Sequence, residues 1–146
     1  MNKPRSDMTA KEFLSRAYRI DVRINAKLDN ISSLRELATK TSATLSDMPR
    51  SSSPALQPIE TIVMKMVDLE NEINAAIDEL IDTKREIMAA LATMTNVQHQ
   101  TVLELRYLAF RSWEQIAEAM GYTERGIYNL HQKALAQFAK GAGLKR

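Results

Sequence analysis

Residues 103–138 read LELRYLAFRSWEQIAEAMGYTERGIYNLHQKALAQF, and the punctuation inside this stretch decides the fold. Leu103, Tyr107 and Leu108 fall at helical spacing, so a first helix buries them. Ser112, followed three residues later by Gln115, forms a capping box that starts a new helix at Trp113. Ile116, Ala117 and Met120 are its inward face. Gly121 can adopt the positive φ that ends a helix within one residue, and Thr123 can cap the next. In that last helix Ile127, Leu130, Ala134 and Phe138 stand at i, i+3, i+7 and i+11, a single inward stripe. The pattern predicts a helix-turn-helix.

The first two turns of the last helix leave Glu124, Arg125, Tyr128, Asn129 and Gln132 outside the stripe. A polar face is often merely solvated, but here a two-helix frame with the required turn precedes it. The set therefore predicts a helix that reads double-stranded DNA. Arg125 has the geometry for guanine O6/N7 and Asn129 for adenine N6/N7. Glu124 can accept from cytosine N4, and Tyr128 can touch a phosphate or a thymine methyl. Gln132 lies further down the same face. Arg111, Thr123, Lys133 and Lys140 are expected to contact phosphates, which position a protein without specifying sequence.

Ala117, Gly121 and Ile127 stand where helix-turn-helix proteins place a small residue, the turn glycine and a buried β-branched residue. The segments VLELRYL, SWEQIAEAMGYT and IYNLHQKAL moreover resemble region 4 of bacterial sigma factors, the module that reads the −35 promoter element. This resemblance covers about the last third of the chain. Residues 10–100 look like the rest of a family of small phage and prophage proteins of the sigma-like late-gene regulator type. The resemblance implies a transcription regulator whose partners are double-stranded DNA and RNA polymerase. The chain also departs from region 4. That family commonly places a basic and then an acidic residue at the first exposed slots, where Glu124 and Arg125 stand in the opposite order, and a further basic residue at the slot of Tyr128. A target other than the standard −35 element is therefore expected. Gly126, in the first turn of a helix at a cost of about 1 kcal/mol, has two readings: close approach of backbone to DNA, or local tolerance.

Composition narrows the function classes. Abundant Leu, Ile, Ala, Met, Glu, Lys and Arg, with 4 Gly and 4 Pro, points to helix throughout. The absence of cysteine excludes disulfides, thiolate metal sites and thiol nucleophiles. His99 and His131 have no ligand partners at i+3 or i+4, so no metal is expected. There is no Gly-rich phosphate loop and no nucleophile with a neighbouring base. Trp113, Tyr107 and Tyr122 read as packing residues. The expectation is a protein without enzyme activity or cofactor. No apolar run approaches the ~18 residues of a membrane span, and MNKPRSDMTAKEF has no apolar signal core, so a cytoplasmic location is expected.

The charge is unevenly spread. Residues 1–58 carry ten Lys+Arg against six Asp+Glu, residues 59–95 three against eight, and residues 96–146 seven against four. The basic C-terminal part fits a DNA reader. Before it, a first helix is expected from Ala10 to Lys40, with Thr9 as cap and Glu12 as capping-box partner. Its stripe is Leu14, Ala17, Ile20, Ile24, Leu28, Ile31, Leu34 and Ala38. Residues 41–58, with three prolines and a serine cluster, read as a flexible connector. A second helix is expected from Pro58–Ile59 to Met94. Ile59, Ile62, Met66, Leu69, Ile73, Ala76, Leu80, Thr83, Ile87, Ala90 and Met94 form its coiled-coil seam. Val63, Ile77 and Leu91 widen that seam.

The expected fold class is therefore all-α: a long antiparallel helical hairpin, a coiled coil, followed by a C-terminal three-helix domain like sigma region 4. Residues 1–9 would be a flexible N-terminus, 10–95 the hairpin, 96–140 the reader with Asn96 as its first cap, and 141–146 a basic tail. The wide seam predicts a homodimer and hence two half-sites on DNA. Two other classes fit less closely: the small DNA-recognising subunit of a phage terminase, and a helix-turn-helix adaptor that binds protein. A ring of many subunits would mark the first, and indifference to DNA the second.

Overall fold

Long side chains at three-and-four spacing, with few Gly and Pro, favour helix, and helices form the architecture of the described residues. The structure, a computed structural model, describes residues 3–46 and 57–146. Among them lie α1 (Ala10–Ser46), α2 (Gln57–Leu91), α3 (Val97–Tyr107), α4 (Trp113–Met120) and α5 (Glu124–Ala142), with a 3-10 turn at Arg5–Asp7. No strand occurs among the described residues, apart from an isolated bridge between Thr9 and Lys145.

Three boundaries differ from expectation. α1 continues beyond Lys40 to Ser46, and α2 begins at Gln57. Both ends of the expected 41–58 connector are thus helical, and its centre lies outside the described residues. Thr39, Thr41 and Thr44 each donate a hydroxyl to the carbonyl four residues earlier, at 2.8–3.0 Å. Turned back on the helix in this way, each hydroxyl is satisfied by a carbonyl of the helix itself. At the other end α2 stops at Leu91, short of Met94, where Thr93 closes a tight turn by donating both its backbone N–H and its hydroxyl to Ala90 O.

The chain divides into two compact units, Ile20–Glu79 and Met1–Arg19 with Leu80–Arg146. α1 and α2 contribute to both. In the first unit they pack as an antiparallel pair. Lys27 meets Glu72 at 2.8 Å and Arg23 meets Glu79 at 3.0 Å, the partner number rising as the α1 number falls. Ile20, Ile24 and Ile31 of α1 and Ile62, Ile73 and Ala76 of α2 are buried there. Leu28, expected in the stripe, is instead 47% exposed. Strict alternation of threes and fours from Ile20 and Ile24 to Ile31 passes through Lys27. The Lys27 stem follows the seam while its ammonium reaches Glu72 at the edge. Of the residues expected to widen the α2 seam, Leu91 is buried, whereas Val63 and Ile77 stay exposed.

The second unit holds one core, and it crosses the expected boundary at residue 95. Phe13, Leu14 and Ala17 of α1 and Ile87 and Leu91 of α2 are buried with Leu103, Ile116, Ile127 and Phe138. Phe13 and Phe138 lie 5.9 Å apart by ring centroid, and the Arg16 guanidinium covers the Phe13 ring at 4.4 Å while pairing with Glu86 at 3.1 Å. The expected flexible N-terminus and the expected basic tail are joined here. Gly143 takes φ 68°, which reverses the chain after α5 and turns Leu144 into the core. The Ala10 N–H then donates to Lys145 O at 2.9 Å, and the Lys145 N–H to Met8 O at 3.0 Å. Thr9 caps α1 by accepting from the Glu12 N–H at 3.1 Å, but the Glu12 carboxylate pairs with Lys3 at 3.3 Å.

Candidate nucleic-acid interface

Local capping positions each helix of the C-terminal trio. Asn96 Oδ1 accepts from the His99 N–H at 3.0 Å and starts α3. Ser112 Oγ accepts from the Gln115 N–H at 3.2 Å while Gln115 Oε1 accepts from the Ser112 N–H at 3.0 Å, a complete capping box. Gly121, at φ 72°, ends α4, and the Tyr122 N–H closes the turn on Ala117 O at 2.8 Å. Thr123 Oγ1 accepts from the Gly126 N–H at 3.0 Å and starts α5. A Cβ on residue 126 would stand 3.0 Å from that same hydroxyl, a tight contact that the Thr123 side chain would have to ease.

α5 turns Ile127, Leu130, Ala134 and Phe138 inward, and Glu124, Arg125, Asn129, Gln132 and Lys133 stay exposed. Tyr128 is 51% exposed, yet its ring meets the edge of Trp113 at 5.8 Å. Thr123 is exposed at the helix start with its oxygen engaged as a cap. Arg111 is exposed in the turn before α4, and its carbonyl accepts from the Arg106 guanidinium at 3.0 Å. Lys140 is exposed but stands apart: eleven residues beyond Asn129, it lies about 17 Å further along the helix axis. The first nine residues of α5 thus gather the expected base-reading residues, with Arg111, Thr123 and Lys133 around them.

Beneath this face lies an aromatic cluster that the reading of residue types alone missed. His131 sits on the inner side of α5, its ring 4.5 Å from Trp113 and 5.7 Å from Tyr107. The Arg106 guanidinium covers the Trp113 ring at 4.3 Å. Trp113 therefore packs, as expected, but as the link between α3 and α5. Burial, then the Arg106 and Lys11 cations, lower the His131 pKa to about 4, and burial pushes the Tyr107 phenol to about 12. Sequence spacing did carry a signal for His131, since Ile127, His131, Ala134 and Phe138 repeat by four, three and four. The proximity of Lys11 and Tyr18 of α1 had no such signal. Among the described residues, no group of three or more His, Cys, Asp or Glu could hold a metal ion, and no helix is long and apolar enough to cross a membrane.

These features define an all-helical protein with a capped helix-turn-helix at its C-terminal end. The chain belongs to the DUF1492 family, a phage-associated family described as proteins of unknown function, whose model matches residues 55–139. No curated protein and no solved structure matches the chain significantly.

Proposed function

We propose that this protein is a sequence-specific, DNA-binding transcription regulator of phage or prophage type. A reader resembling sigma region 4 would be carried with a dimerising helical hairpin. One observation supports this above the rest: five exposed polar residues, Glu124, Arg125, Tyr128, Asn129 and Gln132, occupy the first nine positions of α5, directly after a turn made by a left-handed glycine. Such turns are where helix-turn-helix proteins meet the major groove. Arg125 and Asn129 are assigned to bases, with Glu124, Tyr128 and Gln132 beside them. Arg111, Thr123 and Lys133 are assigned to phosphates, and Lys140 to the flanking backbone. The order Glu124–Arg125 favours a target other than the standard −35 element. The role is binding rather than catalysis, with RNA polymerase as a further partner in the cytoplasm.

The second copy of a homodimer would cover apolar side chains that the hairpin leaves exposed, Val63, Val67 and Ile77 among them. Selection of genomic fragments by the purified protein at about 150 mM salt, where non-specific phosphate binding is weak, tests the reading. One enriched motif near a promoter, with two half-sites, is the expected result. Enrichment beside packaging genes without promoter elements would point instead to a terminase subunit. No enrichment from a folded protein would leave a protein-binding adaptor.

A further inference from the structure

The compact unit formed by residues 1–19 and 80–146 holds a cleft of about 380 Å³ between the start of α1 and the α3–α4–α5 trio. This volume falls in the usual range for small-ligand pockets, roughly 300–1,000 Å³. Its walls combine two chemistries. Trp113, Tyr128, Phe110 and Tyr18 supply aromatic surface, while Lys11, Arg106 and Arg111 supply positive charge. No carboxylate lines it. Neither Lys11 nor Arg111 forms an ion pair with another described residue.

Two further observations mark the cleft as built. Phe110, at its rim, is the sole non-glycine residue with positive φ among those described, at 57°. Left-handed backbone is unfavourable for an aromatic residue, and such strain persists where surrounding contacts hold it. Here the Tyr18 ring at 5.6 Å and the Lys84 ammonium at 4.6 Å hold Phe110 in place. His131, which also lines the cleft, keeps Nδ1 buried without a hydrogen-bond partner. Buried polar atoms normally find one.

We propose that this cleft binds a nucleotide unit, its planar base against the aromatic walls and its phosphate on Lys11 and Arg111. Stacking on aromatic rings accepts any base, because each has a π-face, and cations without carboxylate partners favour phosphate. The unit can come from a free mononucleotide or from a single strand. The cleft shares Arg111, Tyr128 and Gln132 with the face assigned to duplex DNA, and Lys11, Tyr18 and Phe110, which belong to neither α4 nor α5, are its own.

Trp113 is the single tryptophan of the chain and lies in the wall, so its fluorescence reports occupancy. The full-length protein is titrated with adenosine monophosphate, cytidine monophosphate, inorganic phosphate and a short single-stranded oligonucleotide. A saturable change with the mononucleotides is expected. Lys11→Gln and Arg111→Gln, exposed changes that leave the helical circular dichroism intact, should each weaken it roughly tenfold, the worth of one charge-assisted hydrogen bond. Arg125→Gln, outside the cleft, should leave it unchanged. Saturation by the oligonucleotide alone, with the same sensitivity, identifies the strand as the source and upholds the nucleotide chemistry. Inorganic phosphate binding as tightly as the nucleotides removes the base and overturns the proposal. So does the absence of any response, or a response that both Gln variants retain in full.

Discussion

The Tyr107 hydroxyl lies 2.7 Å from His131 Nε2, a buried polar pair that joins α3 to α5 beneath the exposed face of α5. His131 is 2% exposed, and the Arg106 and Lys11 cations add to the burial that disfavours its charged form. The imidazole is therefore neutral at ordinary pH. The Tyr107 phenol, raised to about 12, keeps its proton.

That pair makes stability depend on pH in a defined direction. The folded pKa of about 4 lies below the ordinary value of 6.5, so between these values the unfolded chain binds the proton and the folded one does not. Stability from this group is complete above pH 6.5 and declines as pH falls towards 4, by about 3 kcal/mol in all. Urea midpoints measured from pH 7 to pH 4 should fall more steeply for the wild type than for His131→Phe. Equal slopes would mean that His131 titrates normally in the folded protein.

Gly121→Ala and Gly141→Ala should have opposite signs. An added Cβ meets open space at both positions, so backbone conformation decides. At φ 72° an alanine at 121 is strained by roughly 1–2 kcal/mol. Gly141 lies within α5, where alanine should stabilise by up to about 1 kcal/mol. Chemical denaturation of the two variants checks both signs.

For DNA binding, Arg125→Ala and Lys133→Ala separate reading from positioning. Loss of Arg125 should cost about 1–3 kcal/mol on the selected site and little on scrambled duplex. Loss of Lys133 should weaken both duplexes alike and lower the salt slope by about one. Affinities measured across a salt series distinguish the two. If Arg125→Ala binds the selected site as the wild type does, the α5 face is wrongly assigned.

Val67→Glu with Ile77→Glu tests the homodimer. Both side chains are exposed in the single chain, so a carboxylate costs the monomer little but is expensive to bury against a second copy. Sedimentation should give a dimer for the wild type and a monomer of unchanged helicity for the double variant. A variant that remains dimeric would place the interface elsewhere.

Some of this molecule was legible in its chain order because the forces involved are local. Ser112 and Gln115, Gly121, Thr123 and Asn96 each act on backbone groups within a few residues, and each occupies its expected helix boundary. The inward stripe of α5 follows from the helical repeat alone. What depends on distant segments was not legible. Lys27 rather than Leu28 continues the seam, because the facing Glu72 gives its ammonium a partner at the edge. Leu144 is buried, and Lys145 is bonded to the segment before α1, because a left-handed glycine turns the chain end back.

The sequence by itself determined where α3, α4 and α5 begin, where α4 ends and which side of α5 faces inward, since capping and periodicity need only neighbouring residues. Tertiary structure alone decided that the first turns of α1 share a core with α3, α4 and α5, and that Lys11 and Tyr18 stand beside Trp113 and Tyr128 across one cleft. No local rule records which segment will cover an apolar stripe. That choice is made by complementary packing between residues that stand far apart along the chain, as Phe13 and Phe138 do.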